Sequence, residues 1–131
     1  MALKLSLKPG EKFVVNGAVI VNGDRRTTLV LQNKASLLRE KDIIQAEDVD
    51  TPAKHVYFPI MLMYMDPAGY NKYHEQFVLR MTEFLGVVED VEIKLQCVAI
   101  SKDVMECDFY KALMKCKKLF EFENVRLANV P

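Results

Sequence analysis

The sequence predicts an α+β protein: a small antiparallel β-sheet of about five short strands in residues 1–50, then a bundle of about four helices in residues 51–131. Two observations predict it. The first third alternates apolar and polar residues with period two and is punctuated by turn dipeptides every six or seven residues. From Thr51 onward the apolar residues recur at steps of three and four. The boundary near residues 44–51 is this change of period, and 131 residues leave room for one domain or two small subdomains.

Leu3, Leu5 and Leu7 alternate with Lys4, Ser6 and Lys8, as in a half-buried strand, and Pro9-Gly10 turns the chain. Lys12–Val15 is the second strand. Asn16-Gly17, which favours the positive φ of a type I′ turn, leads into the third, Ala18–Val21. Asn22-Gly23-Asp24 is another turn, Thr27–Gln32 a β-branched fourth strand, and Leu37–Lys41 a short fifth. Such a set describes a meander or partial barrel. So small a sheet seldom stands alone, and it is expected to pair with another subunit or pack on helices.

Thr51-Pro52 places a capping hydroxyl before a proline at the first helical position. The helix that follows carries Val56, Tyr57, Ile60, Met61 and Tyr64, with Pro59 expected to kink or break it. Asp66-Pro67 repeats the start signal, although Gly69 weakens the first turn. Tyr70, Tyr73, Phe77, Met81, Phe84, Leu85 and Val88 then mark one face of a second helix. A third, roughly 89–102, gathers Val91, Leu95 and Val98. The last, roughly 106–124, aligns Phe109, Ala112, Leu113, Cys116, Leu119 and Phe120, the clearest stripe in the chain, before a short frayed tail.

Half the residues are hydrophobic and 27% charged, which argues against disorder. Eighteen basic and eighteen acidic residues cancel, so no global field points to nucleic acid or an anionic membrane. The N-terminus alternates and is no signal peptide, and no apolar run approaches the roughly 20 residues of a membrane span. Three cysteines without a CxxC pair read as reduced residues of a cytoplasmic protein. No metal or cofactor is implied. His55 and His74 lie 19 residues apart with no nucleophile or ligand-spaced carboxylate beside them, and Gly10, Gly17 and Gly23 fall in turns, not in a phosphate loop. An enzyme is not expected.

Two features point to binding. Residues 1–41 carry eight basic groups (Lys4, Lys8, Lys12, Arg25, Arg26, Lys34, Arg39, Lys41) against Glu11, Asp24 and Glu40, a local excess of +5 (8 − 3). Arg25-Arg26 follows a tight turn that would leave both guanidinium groups able to grip phosphates. A solvated face of scattered lysines is the plainer reading. Phe13 is the only aromatic residue before Tyr57, so no base-stacking platform is indicated. The second feature is Ile60-Met-Leu-Met-Tyr-Met, whose thioethers adapt to irregular partners. Helix core is again the plainer reading. With Tyr57, Phe58, Met61, Met63 and Met65 the helix is apolar nearly all round, which makes a protein interface the alternative.

Leu3-Lys-Leu-Ser-Leu-Lys-Pro-Gly-Glu-Lys-Phe, Val15-Asn-Gly-Ala-Val-Ile and Asn22-Gly-Asp-Arg-Arg resemble the opening of the FlbT family. Leu37-Leu-Arg-Glu-Lys-Asp-Ile, Thr51-Pro-Ala, Asp66-Pro and Phe109-Tyr-Lys-Ala-Leu continue the likeness over roughly residues 1–123. The resemblance implies a post-transcriptional regulator of flagellin synthesis, a repressor that binds the 5′ untranslated leader of flagellin messenger RNA and promotes its decay together with the protein FlaF. The basic β part would then face RNA, through Arg39, Arg25, Arg26, Lys8, Lys4 and Lys41. A second reading makes the chain an adaptor or chaperone for flagellin or FlaF. A weaker likeness joins Lys8-Pro-Gly-Glu and Leu38-Arg-Glu-Lys-Asp-Ile to the start and end of the RNA-binding β protein CsrA. By that analogy the sheet is CsrA-like, the chain is a homo-oligomer and Arg39 contacts RNA. The second arginine of that clamp falls on Leu7.

Overall fold

The computed structural model describes residues 2–128, of residues 126–128 the backbone alone. The chain divides into two compact units, one ending at Ile44 and the other beginning at Gln45, whereas the change of period in the sequence lies at 51. A short 3-10 turn at Ala46–Asp48 lies in that interval, and another at Glu40–Asp42 comes just before it.

The first unit has five strands, β1 (Leu3–Leu7), β2 (Lys12–Val15), β3 (Ala18–Val21), β4 (Thr27–Leu31) and β5 (Leu37–Arg39). They form two antiparallel sheets, β1–β4 and β3–β2–β5, so the antiparallel β part is as expected, while the strand order is not the sequential one of a meander. Only β2 and β3 are joined as a hairpin, through Asn16 at φ 49° and Gly17 at φ 83°, the paired positive angles of a type I′ turn. The Pro9-Gly10 turn acts differently. Gly10 sits at φ 72° and the Glu11 N–H donates to Lys8 O at 3.1 Å, which is a type II turn. It sends β2 away from β1, and β1 takes β4 as its neighbour, with Leu5 opposite Leu29. Leu5, Leu7, Phe13, Val14 and Leu38 are buried as the core of the unit. On the free edge of β3, Val19, Ile20 and Val21 are exposed.

The second unit holds α1 (Pro52–Met65), α2 (Tyr70–Val87), α3 (Val91–Met105) and α4 (Phe109–Ala128). Helix α4 continues beyond the expected end at Asn124; residues 129–131 lie outside the described residues. Helix α1 packs against both α2 and α4, while α3 packs against α4. That central place explains its composition. From Ala53 to Met65 every residue is buried or half-buried, so apolar side chains on all faces have neighbours within the bundle. Pro59 is buried inside an unbroken helix and does not end it. Thr51 Oγ1 accepts from the Lys54 N–H at 3.3 Å. Glu123 Oε2, from α4, accepts from the Ala53 N–H at 2.9 Å. The expected faces of α2 and α4 are seen, with Phe77, Met81, Phe84, Val88, Ala112, Leu113, Cys116 and Leu119 buried. Gly69 has a steric reason: a Cβ there would lie 2.5 Å from the Tyr73 ring, whose hydroxyl donates to Asp66 Oδ2 at 2.7 Å.

Helix α3 keeps the expected row together but on its outer side. Val91, Leu95 and Val98 face outward, and Cys97, Ile100 and Val104 make the buried face. Both rows are apolar, and α4 covers only one. On the buried side Asp103, 7% exposed, meets Lys115 of α4 with Nζ 2.6 Å from Oδ2, a charge contact outside hydrogen-bond geometry. The helix closes with Cys107 at φ 59°, where glycine is usual, as Asp108 N–H donates to Asp103 O and Cys107 N–H to Val104 O.

The thiols differ sharply. Burial pushes Cys97 up to about 11 and Cys116 higher still, while Cys107 is exposed. Because the thiolate is the reactive species, the native protein is expected to consume one equivalent of Ellman's reagent per chain at pH 8, and three after denaturation. Rapid labelling of all three in the native state would contradict the packing of α3 on α4.

Candidate nucleic-acid interface

The β unit places its basic side chains by a small set of local ties. Asn22 is the hub. Its Nδ2 donates to Lys8 O at 2.8 Å and to Arg25 O at 2.9 Å. Its N–H donates to Glu11 O at 2.9 Å. One amide thus binds the turn after β1 to the turn before β4 and sets Arg25-Arg26 beside the end of β1.

On β1, Leu5 and Leu7 point into the core, so Lys4 and Ser6 point out, opposite Val30 and Thr28 of β4. Arg26 lies two residues before Thr28 on the same face, and its Nη1 donates to Ser6 Oγ at 3.4 Å. From β5, Arg39 Nη2 donates to Ser6 O at 2.7 Å. Two arginines therefore meet at Ser6, with Lys4 two residues away on the same strand. Leu7 is 2% exposed, which accounts for the absence of an arginine there: the position faces the core.

Arg39 is not a free cation. Its Nε and Nη2 donate to Glu11 Oε2 at 3.2 and 2.9 Å, and Glu11 Oε1 also accepts from the Lys8 N–H at 2.9 Å. The Lys8 backbone hydrogen bond, and after it the Arg39 guanidinium, hold the Glu11 carboxyl below its ordinary value. A depressed folded-state pKa means that this support is present above the unfolded value near 4.5 and is lost as pH falls through the folded one. The clasp joins β5, the first turn and β1. Around it lies a shallow cavity of about 440 Å³, lined by Lys8, Glu11, Arg39, Glu40 and Lys41 among others. Three cations there meet two carboxylates, so its field is weak. The less compensated charges are Lys4, Arg25 and Arg26, which are exposed and in no ion pair among the described residues.

Of the candidate protein-interface residues, Tyr57, Met61 and Met63 are buried at 1–2% exposure and Phe58 and Met65 are half-buried. In this fold Tyr57, Met61 and Met63 serve as helix core, and of these candidates only Phe58 and Met65 keep partial exposure. Among the described residues no three His, Cys, Asp or Glu side chains gather as metal ligands, and no helix is long and apolar enough to cross a membrane.

Residues 3–127 match the family described as "Flagellar protein FlbT". The "Flagellum biosynthesis repressor protein FlbT" of Caulobacter vibrioides is 60% identical over 130 residues, covering 99% of this chain and 92% of that protein. The "Probable flagellum biosynthesis repressor protein FlbT" of Mesorhizobium japonicum is 37% identical over 121 residues, covering 92% and 82%. No solved structure matches. With the family match spanning both units, the chain belongs to the FlbT family of flagellar proteins.

Proposed function

We propose that this chain is a cytoplasmic, non-catalytic regulator of flagellum synthesis that binds the 5′ untranslated leader of flagellin messenger RNA and promotes its decay. The observation that carries the reading is family membership across residues 3–127, with relatives named as flagellum biosynthesis repressors. The geometry supports a phosphate-led contact. Lys4 and Arg26 share the outer face of β1–β4, Arg25 adjoins them, and Lys8 and Lys41 flank the Arg39–Glu11 clasp. No aromatic side chain stands on that face, so contact is to the backbone of the RNA and affinity is strongly salt-dependent.

Fluorescence anisotropy with a labelled flagellin leader tests this. Saturable binding is expected at low salt. Each phosphate contact removed by Lys4→Ala, Arg25→Ala or Arg26→Ala is expected to flatten the log–log salt slope by roughly 0.7. No saturable binding at 50 mM salt would sink the reading.

The second reading, an adaptor for flagellin or FlaF with indirect effects on RNA, is favoured by the exposed apolar edge of β3, Val19, Ile20 and Val21. Capture of either protein by a chain that binds no leader RNA would establish it.

A further inference from the structure

Helix α3 carries two apolar rows on opposite sides. Ile93, Cys97, Ile100 and Val104 advance by steps of four, three and four on the side packed against α4. Val91, Leu95, Val98 and Met105 follow the same rhythm two residues earlier, or one residue later at Met105, with Lys102 at the intervening position. Two residues are roughly 200° around a helix, so this second row points away from α4. Its four apolar side chains are 60% to 79% exposed, and Val87, four residues before Val91, is 71% exposed. Such a row at 3.5-residue spacing is the seam of a helix pair, and α3 has only one helix partner of its own at close packing.

The charges along the row identify what fits it. Glu89, Asp90 and Glu92 stand at the N-terminal end, and Lys102 lies in the row near the C-terminal end. Neither Glu92 nor Lys102 is in an ion pair among the described residues, and both are exposed. The seam is therefore self-complementary when two copies run antiparallel. A two-fold axis between Leu95 and Val98 sets Leu95 of each copy against Val98 of the other, and Lys102 against Val91 with the Glu92 carboxylate beside it. Met105 then reaches the Val87 end. A parallel pair would oppose Lys102 to Lys102 and acidic end to acidic end, and would align the helix dipoles unfavourably.

We propose that α3 is the self-association surface of this protein, an antiparallel two-fold contact between second helical rows. With their charged rims the two faces offer on the order of 1,000 Å², the lower bound for a specific interface, which fits a dimer of micromolar strength. The inference concerns the helical unit alone and does not depend on RNA binding.

Sedimentation of the full chain between about 1 and 100 μM tests it. The native protein is expected to dimerise. Leu95→Glu should raise the dissociation constant at least about thirtyfold, with circular dichroism unchanged because Leu95 is exposed. Its melting temperature should be unchanged below the native dissociation constant and lowered only above it, where the native chain gains from dimerisation. Glu92→Lys and Lys102→Glu should each weaken the dimer, and the double exchange in one chain should restore it, since each copy then supplies the reversed partner. A native protein that stays monomeric overturns the proposal. So does a dimer indifferent to Leu95→Glu, which would place the contact elsewhere, such as the exposed edge of β3. Absence of rescue by the double exchange overturns the antiparallel register.

Discussion

Met63→Glu is expected to abolish the helical unit: at 25 °C and neutral pH the variant should lose most of its helical circular dichroism. Met63 is 1% exposed on α1, the helix that packs against both α2 and α4. A carboxylate there loses its hydration without a cation to replace it, a cost of several kcal/mol against a total stability of roughly 5–15 kcal/mol for a domain. Met63→Leu, which conserves volume, should change stability by less than about 1.5 kcal/mol. The pair separates packing from docking. If Met63→Glu folds with unchanged helicity, the residue is not in the core. The same argument applies to Met61, so charged substitutions in this segment are unsuitable as probes of partner binding.

Lys115→Met is expected to cost about 2 kcal/mol or more in chemical denaturation, and Asp103→Asn/Lys115→Met to recover much of that. Asp103 is buried and Lys115 is its charge partner. Removing the ammonium leaves a buried carboxylate unpaired, which in fully buried pairs costs roughly 3–5 kcal/mol. Lys115 keeps about a third of its side chain in water, so solvent screening lowers the figure here. Equal losses in the single and double variants would show that the contact contributes shape and not charge.

Local chemistry was readable wherever one dipeptide decides the backbone. Asn16-Gly17 marks the β2–β3 hairpin and Thr51-Pro52 marks the start of α1, because a positive φ pair and a capping hydroxyl are demands that few residues meet. The stripe on α4 was readable because its outer face is polar. On α3 both faces are apolar, so periodicity gathers Val91, Leu95 and Val98 in one row but cannot say which row a neighbour covers. The Met-rich helix shows the converse. Apolar residues all round signal a central position as readily as an interface.

The candidate site was legible as a list of cations but not as an arrangement. Arg39 and Glu11 are 28 residues apart, and nothing local announces that one neutralises the other. The pairing of β1 with β4 places Arg26 beside Ser6 across 20 residues, a juxtaposition that depends on strand order. Sequential hairpins would have set Lys4 against β2 instead.

The cap on Ala53 from Glu123 joins positions 70 residues apart, and this has a consequence for synthesis on the ribosome. Every strand of the β unit has been made once Arg39 is added. The first helix waits for its distant carboxylate until 84 further residues (123 − 39) follow, roughly 4–17 s at 5–20 residues per second. During that interval the segment that bears Lys4, Arg25, Arg26 and the Arg39 clasp has already been synthesised. The order of translation thus completes the chain of the basic surface several seconds before the chain of the helical half.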